Sequence, residues 1–166
     1  LTPQQREDIL TDLETAYEYP RSRELLDGLR TDYARRMAAG GPANIITIDT
    51  VSNPIDARAD PVGWLHPGAV NDGVGVPVRL QYAPRQSVPQ SGYGNIPSDV
   101  TLAHELIHAR NIANGTEMSG TTLGTEPNGL PAQFPTNNWE LPAMGLGSES
   151  DARISEARFA GERGLP

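Results

Sequence analysis

The residues able to do chemistry stand close together, in Thr101-Leu-Ala-His104-Glu105-Leu-Ile-His108-Ala109. Two of the chain's three histidines fall here, four residues apart, among apolar neighbours that suit a helix. Four helical residues turn the chain by about 400°, so both rings share one face, one turn apart. That arrangement offers two imidazole nitrogens to one zinc ion, each at about 2.0–2.1 Å. Glu105 is rotated by about 100° from His104, which puts it beside the ion rather than on it. A carboxylate there can act as general base toward zinc-activated water.

A catalytic zinc needs a third protein ligand. Asn111 and Asn114 stand where a Gly and a third His would complete a three-histidine spacing, so that pattern is absent. By residue type, Glu117, Glu126, Glu140, Glu149 and Asp151 all remain open. Glu117 and Glu126 fall in a Gly- and Pro-rich stretch, a poor place to fix a ligand. Glu140 opens a short helical segment, Trp139-Glu-Leu-Pro-Ala-Met-Gly145.

The flanking pattern says what must position these groups. Apolar residues at near-helical spacing predict helices over 3–16 and 20–38, the second opened by Pro20 and stopped by Gly40-Gly41. The β-branched run 43–51 predicts a strand, and 75–83 alternates well enough for another, which Pro77 marks as an edge. Residues 52–74 and 84–97 read as loops. Ser98-Asp99 can cap a zinc helix over 99–113, closed near Asn114-Gly115. Residues 115–138 read as a long polar loop, and 148–163 as a last helix with Ile154, Ala157, Phe159 and Ala160 on its apolar face. Helices, strands, a loop and helices in that order predict an α+β class.

Composition narrows the function. The chain has 166 residues, the size of one domain, and no internal repeat. Its formal charge of −8 argues against nucleic acid or an anionic membrane as partner, since both call for a basic surface. With no Cys, it has no disulfide framework, thiol nucleophile or Cys-ligated zinc. No apolar run is long enough to span a bilayer. Without an initiator Met or a signal peptide, residues 1–166 read as a single trimmed core of a longer protein.

Three segments carry a resemblance. Asp99-Val-Thr-Leu-Ala-His-Glu-Leu-Ile-His-Ala109 resembles the zinc helix of clostridial neurotoxin light chains. Glu140-Leu-x-x-x-Gly145 resembles the segment that carries their glutamate ligand. Ser155-Glu156-Ala-Arg-Phe159 resembles their Thr-Glu-x-x-Phe segment, whose glutamate bonds a zinc-binding histidine. The short chain and its ending Glu162-Arg-Gly-Leu-Pro166 look more like the compact zinc-protease effectors of the NleD-like and XopG-like group, which pathogenic bacteria inject through type III secretion. The likeness covers residues 97–166. It implies a minimal zincin fold with a small mixed sheet on the zinc helix. It further implies His104, His108 and Glu140 as Zn2+ ligands, Glu105 as base and Glu156 behind a ligand histidine. Trp139, Pro142 and Ala157 depart from the family's usual residues.

The expectation is a monomeric zinc endopeptidase that cuts host proteins in the host cytoplasm. The strand at 75–83 would hold an extended peptide by β-augmentation. A binding module with a structural zinc is one alternative, and a zinc hydrolase of a small amide or ester is another. The family's Arg-x-x-Tyr pair would fall past Pro166. Tyr82, Tyr93, His66, Arg153 and Arg158 are the few substitutes as oxyanion donor, so slow hydrolysis is expected of these residues alone.

Overall fold

The computed structural model describes residues 1–41, 43–63, 70–90, 94–117, 121–125, 131–144 and 154–165. Helix α1 (Pro3–Glu18) starts with a reciprocal capping box. Gln5 N–H donates to Thr2 Oγ1 and Thr2 N–H donates to Gln5 Oε1. Helix α2 (Pro20–Ala38) starts on Pro20, whose missing N–H costs nothing in a first turn. Both spans match the expected helices, although Leu10, Tyr33 and Met37 lie exposed and Asp12 and Ser22 are buried.

Strands β1 (Ile46–Thr50), β2 (Arg58–Pro61) and β3 (Val78–Tyr82) form a sheet in the order β1-β3-β2. β1 runs parallel to β3 and β2 antiparallel to it. This corrects the expectation that 75–83 is an edge. The strand is central, and Pro77 lies just before it, so its missing donor falls outside the ladder. The Pro77 carbonyl instead accepts from Val62 N–H at 2.8 Å. Among the described residues β2 is the outer strand on the far side, inside a stretch that reads as loop. Alternation along β3 buries Val78, Leu80 and Tyr82 on one face and turns Arg79 and Gln81 outward.

Onto the buried face packs α3 (Ser98–Asn114), with 12 of its 17 residues buried. Its amphipathic pattern is weak because α1, α2 and the sheet cover it from several sides. Ser98 and Asp99 do not cap it. Pro97 holds the cap position, Ser98 bonds Asp12 of α1, and Asp99 contacts Arg163. Arg85, at φ 63°, donates its N–H to Asp12 as well, at 3.2 Å. The helix is thus pinned at its N-terminal end by polar groups from α1 and the C-terminal segment.

Its other end closes on Gly115 at φ 67°, against a loop that carries Gly73 and Gly75. Gly73 N–H donates to Gly115 O at 2.9 Å, Val76 N–H to Ile112 O at 3.3 Å, and Glu117 N–H to Val70 O at 2.8 Å. Asn44 ties in β1 by donating to both Val74 O and Ala113 O at 2.9 Å. A Cβ on Gly75 would lie 2.1 Å from Ala113 O, so the two backbones touch only because this residue has no side chain.

The two remaining loop-like stretches contain hairpins, β4 (Val88–Gln90) with β5 (Gly94–Ile96) and β6 (Thr121–Thr125) with β7 (Pro131–Asn137). Prolines hid them in the sequence, but a two-stranded ribbon has free edges where a proline is tolerated. Two short helices finish the chain, α4 (Glu140–Met144) and α5 (Glu156–Glu162). The buried Phe159 packs α5 into the common core with Leu25, Leu102 and Ile107. The last helix is shorter than 148–163, and residues 148–153 lie outside the described residues.

Candidate active site

The four-residue spacing places His104 and His108 edge to face on α3, with ring centroids 4.8 Å apart and Nε2 atoms 3.0 Å apart. Glu140, the first residue of α4, brings Oε2 to 3.3 Å from His104 Nε2 and 3.4 Å from His108 Nε2. Pro142 leaves this helix intact because a first turn needs no N–H from it.

These three separations test the fit to a metal. Ligands about 2.0–2.1 Å from a tetrahedral ion stand about 3.3–3.4 Å from one another. The observed triangle of 3.0, 3.3 and 3.4 Å is close to that. Two imidazole nitrogens 3.0 Å apart also need a proton or cation between their lone pairs. Two histidines and one carboxylate are a zinc donor set, and they are the group among the described residues that could hold a metal ion.

Each ring is backed by a carboxylate. Glu156, at the start of α5, sets Oε2 at 2.6 Å from His104 Nδ1. Glu117, three residues beyond the end of α3, sets Oε1 at 3.5 Å from His108 Nδ1. Sequence reasoning weighed Glu117 only as a ligand in a loose loop. The available signal was Gly115, two residues before it, since a left-handed glycine turns the chain back on its helix.

Electrostatics follow from this crowding. Burial disfavours the His104 charge, yet Glu140 and Glu156 outweigh it and the metal-free ring is pushed up to about 10. Burial likewise opposes the His108 charge, and Glu117 and Glu140 carry it up to about 9. Burial alone would raise Glu140, but the two rings hold its carboxyl well below the usual range. Burial pushes Glu105 upward, the two histidines pull it back, and Glu140 and Glu156 raise it again, for a net rise.

Glu105, only 7% exposed, lines a cleft of about 340 Å³ with His108, Glu117, Trp139, Glu140, Ala57 and strand β2. A larger cavity of about 860 Å³ lies between α2 and α3, lined by Arg35, Arg36 and Arg110 among others, and holds none of these groups. Of the other named residues, Tyr82 is fully buried beside Asp12 and Arg158 is exposed on α5. His66, Tyr93, Glu126, Glu149, Asp151 and Arg153 lie outside the described residues.

A family model, Peptidase_M91, described as "Effector protein", matches residues 3–165. No curated protein matches the chain. Among solved structures, the light chain of Clostridium botulinum neurotoxin serotype F is similar in fold, at a TM-score of 0.58 and 14% identity. The match covers 96% of this chain and 48% of that one, so this chain spans about half the length of the light chain. The α+β zincin-like fold implied by the motif resemblance is the fold observed. No helix among the described residues is long and apolar enough to cross a membrane.

Proposed function

The chain belongs to the Peptidase_M91 family of effector proteins, and from that premise we propose that it is a zinc endopeptidase which, delivered by type III secretion, cuts proteins in a host cell. The observation that carries this reading is the near-tetrahedral triangle of His104, His108 and Glu140, with Glu105 in the same cleft. These three residues would hold the metal. Bound there, zinc supplies Lewis acidity toward a peptide carbonyl and a water.

The chain's own residues do the rest. Glu105 takes the proton of the attacking water and passes it to the leaving amine nitrogen. Its burial favours that task, because a carboxyl raised above its ordinary range is a stronger base. Glu156 fixes the His104 ring through Nδ1. The substrate-holding edge is β2 and not 75–83, whose strand is flanked on both sides. β2 lines the cleft beside Glu105 and presents the outer edge of its sheet to an extended peptide. A peptide along that edge favours an endopeptidase over a hydrolase of small amides.

The test has two arms. Metal analysis of the purified protein should give one zinc per chain, and Glu140→Ala should lose it. Host lysate treated with the zinc-loaded protein should yield new protein N-termini that Glu105→Gln does not produce. Zinc uptake without new N-termini beyond those of the Glu105→Gln control would favour a structural zinc and overturn the endopeptidase reading.

A further inference from the structure

If zinc is bound through Nε2 of both histidines, each ring must be held in the tautomer with its proton on Nδ1. The carboxylate facing His104 Nδ1 is Glu156, from a separate helix, at 2.6 Å. The Nδ1 atoms of both rings are buried and neither makes a well-aligned hydrogen bond among the described residues, so each ring depends on the carboxylate that faces it. The carboxylate facing His108, Glu117, is itself 8% exposed, and its Oε2 also lacks a partner. Glu117 Oε1 lies 3.5 Å from His108 Nδ1, so a buried ring donor without a partner faces a buried carboxylate, and the two are complementary.

The backbone explains why Glu117 stands there. Gly115 adopts the left-handed conformation and turns the chain out of α3. Thr116 N–H returns to Asn111 O at 2.9 Å, and Glu117 N–H donates to Val70 O at 2.8 Å. The 70–76 loop is itself braced, because Asp72 Oδ1 accepts from Val74 N–H at 2.8 Å and Gly75 N–H at 3.0 Å. Glu117 is therefore tied through backbone bonds to both α3 and the 70–76 loop, with its carboxylate toward Nδ1 of the His108 ring and away from the ligand nitrogen. It cannot reach the metal from there, which removes it from the open set of third ligands.

We propose that Glu117 is the positioning residue of His108, accepting its Nδ1–H and so aiming Nε2 at the metal. This rests on the zinc reading above for its function, but the pairing itself exists without a metal. The two halves of the site are then backed independently, Glu156 arriving from α5 and Glu117 from the exit of the zinc helix.

The experiment compares wild type, Glu117→Gln and Glu117→Ala by zinc competition with a chromophoric chelator. It adds nitrogen-15 NMR of the histidine rings in the metal-free protein, at a pH where the rings are neutral. Removing such a partner typically costs 10–100-fold in metal affinity, and that loss is expected for Glu117→Ala. Glu117→Gln keeps an acceptor oxygen and should recover part of it. His108 should hold its proton on Nδ1 in wild type and lose that preference in Glu117→Ala, while His104 is unchanged. Equal zinc affinity in all three chains, or an unaltered His108 tautomer in Glu117→Ala, overturns the proposal. If wild type takes up no zinc while its His108 tautomer depends on Glu117, the metal reading fails and the positioning role stands. Thermal unfolding of each metal-free variant separates both results from a failure to fold.

Discussion

Replacing Gly75 by Ala tests the bracing of α3 without touching a residue of the candidate site. The residue has φ 74°, and its new Cβ would meet Ala113 O at 2.1 Å and Gly115 N at 2.7 Å, both backbone atoms. Real Cβ contacts stay beyond 3.0 Å, so the loop and the helix end must separate by close to an ångström. That movement breaks or stretches the Gly73–Gly115 and Val76–Ile112 backbone bonds. Left-handed strain of about 1–2 kcal/mol and two bonds at about 1 kcal/mol each, less about 0.4–1 kcal/mol of unfolded-chain entropy, give a loss of about 2–4 kcal/mol. Against a usual domain stability of about 5–15 kcal/mol, that is large. Gly73→Ala is the control, since Gly73 has φ 78° but nothing within 4 Å of its would-be Cβ. It should lose only about 0–1.5 kcal/mol, the strain less the entropy gain. Urea unfolding in the presence of chelator measures both, with the midpoint falling and the slope unchanged. Equal losses for the two variants would refute the argument that backbone contact at Gly75 holds the helix end.

Glu105→Gln should keep zinc and fold while losing about 10²–10⁴-fold in turnover, and near-normal rates would exclude it as base. The acidic limb of the wild-type pH–rate profile should lie above the ordinary glutamate range, because burial raises Glu105. Glu156→Ala should weaken zinc by about 10–100-fold through His104, and unchanged affinity would leave it a mere surface carboxylate. The metal-free protein should show its own pH dependence. His104 and His108 bind protons more tightly folded than unfolded, so their stabilisation is complete below about 6.5 and fades as pH rises through about 9 to about 10. Glu140 is shifted the other way, so its contribution is present above its ordinary value of 4.5 and is lost on acidification. Melting temperature with chelator should therefore fall on both sides of the interval from 4.5 to 6.5, and with zinc bound the alkaline fall should vanish.

How much was legible depended on whether a local pattern or a distant partner set the structure. The helices at 3–18, 20–38 and 98–114 carry their own spacing and stop signals, and the two histidines needed only that spacing to share a face. Glu140 and Glu156 were reachable through motif resemblance, since nothing in their local sequence says that α4 and α5 fold back onto α3. β2 was invisible because Arg58-Ala-Asp-Pro61 has no strand propensity of its own and exists through its pairing with β3. The same non-local cause misled the reading of 75–83, where Pro77 signalled an edge yet sits outside the ladder. Glu117 was misjudged because a Gly-rich stretch suggests looseness. Here Gly73, Gly75 and Gly115 permit a close backbone approach that makes the segment fixed.

The three metal-facing side chains sit on units of very different local stability. His104 and His108 belong to a 17-residue helix in the middle of the core, whose amides should exchange with solvent only when the whole domain opens. Glu140 belongs to a five-residue helix and keeps about a third of its side chain exposed. Units that short open at a fraction of the global unfolding free energy. An ion held by this set would thus have its residence time governed by the fluctuation of α4 and not by α3, and could leave or arrive without disturbing the two histidines. The domain would survive many cycles of metal loss and reloading with its imidazole pair already in place.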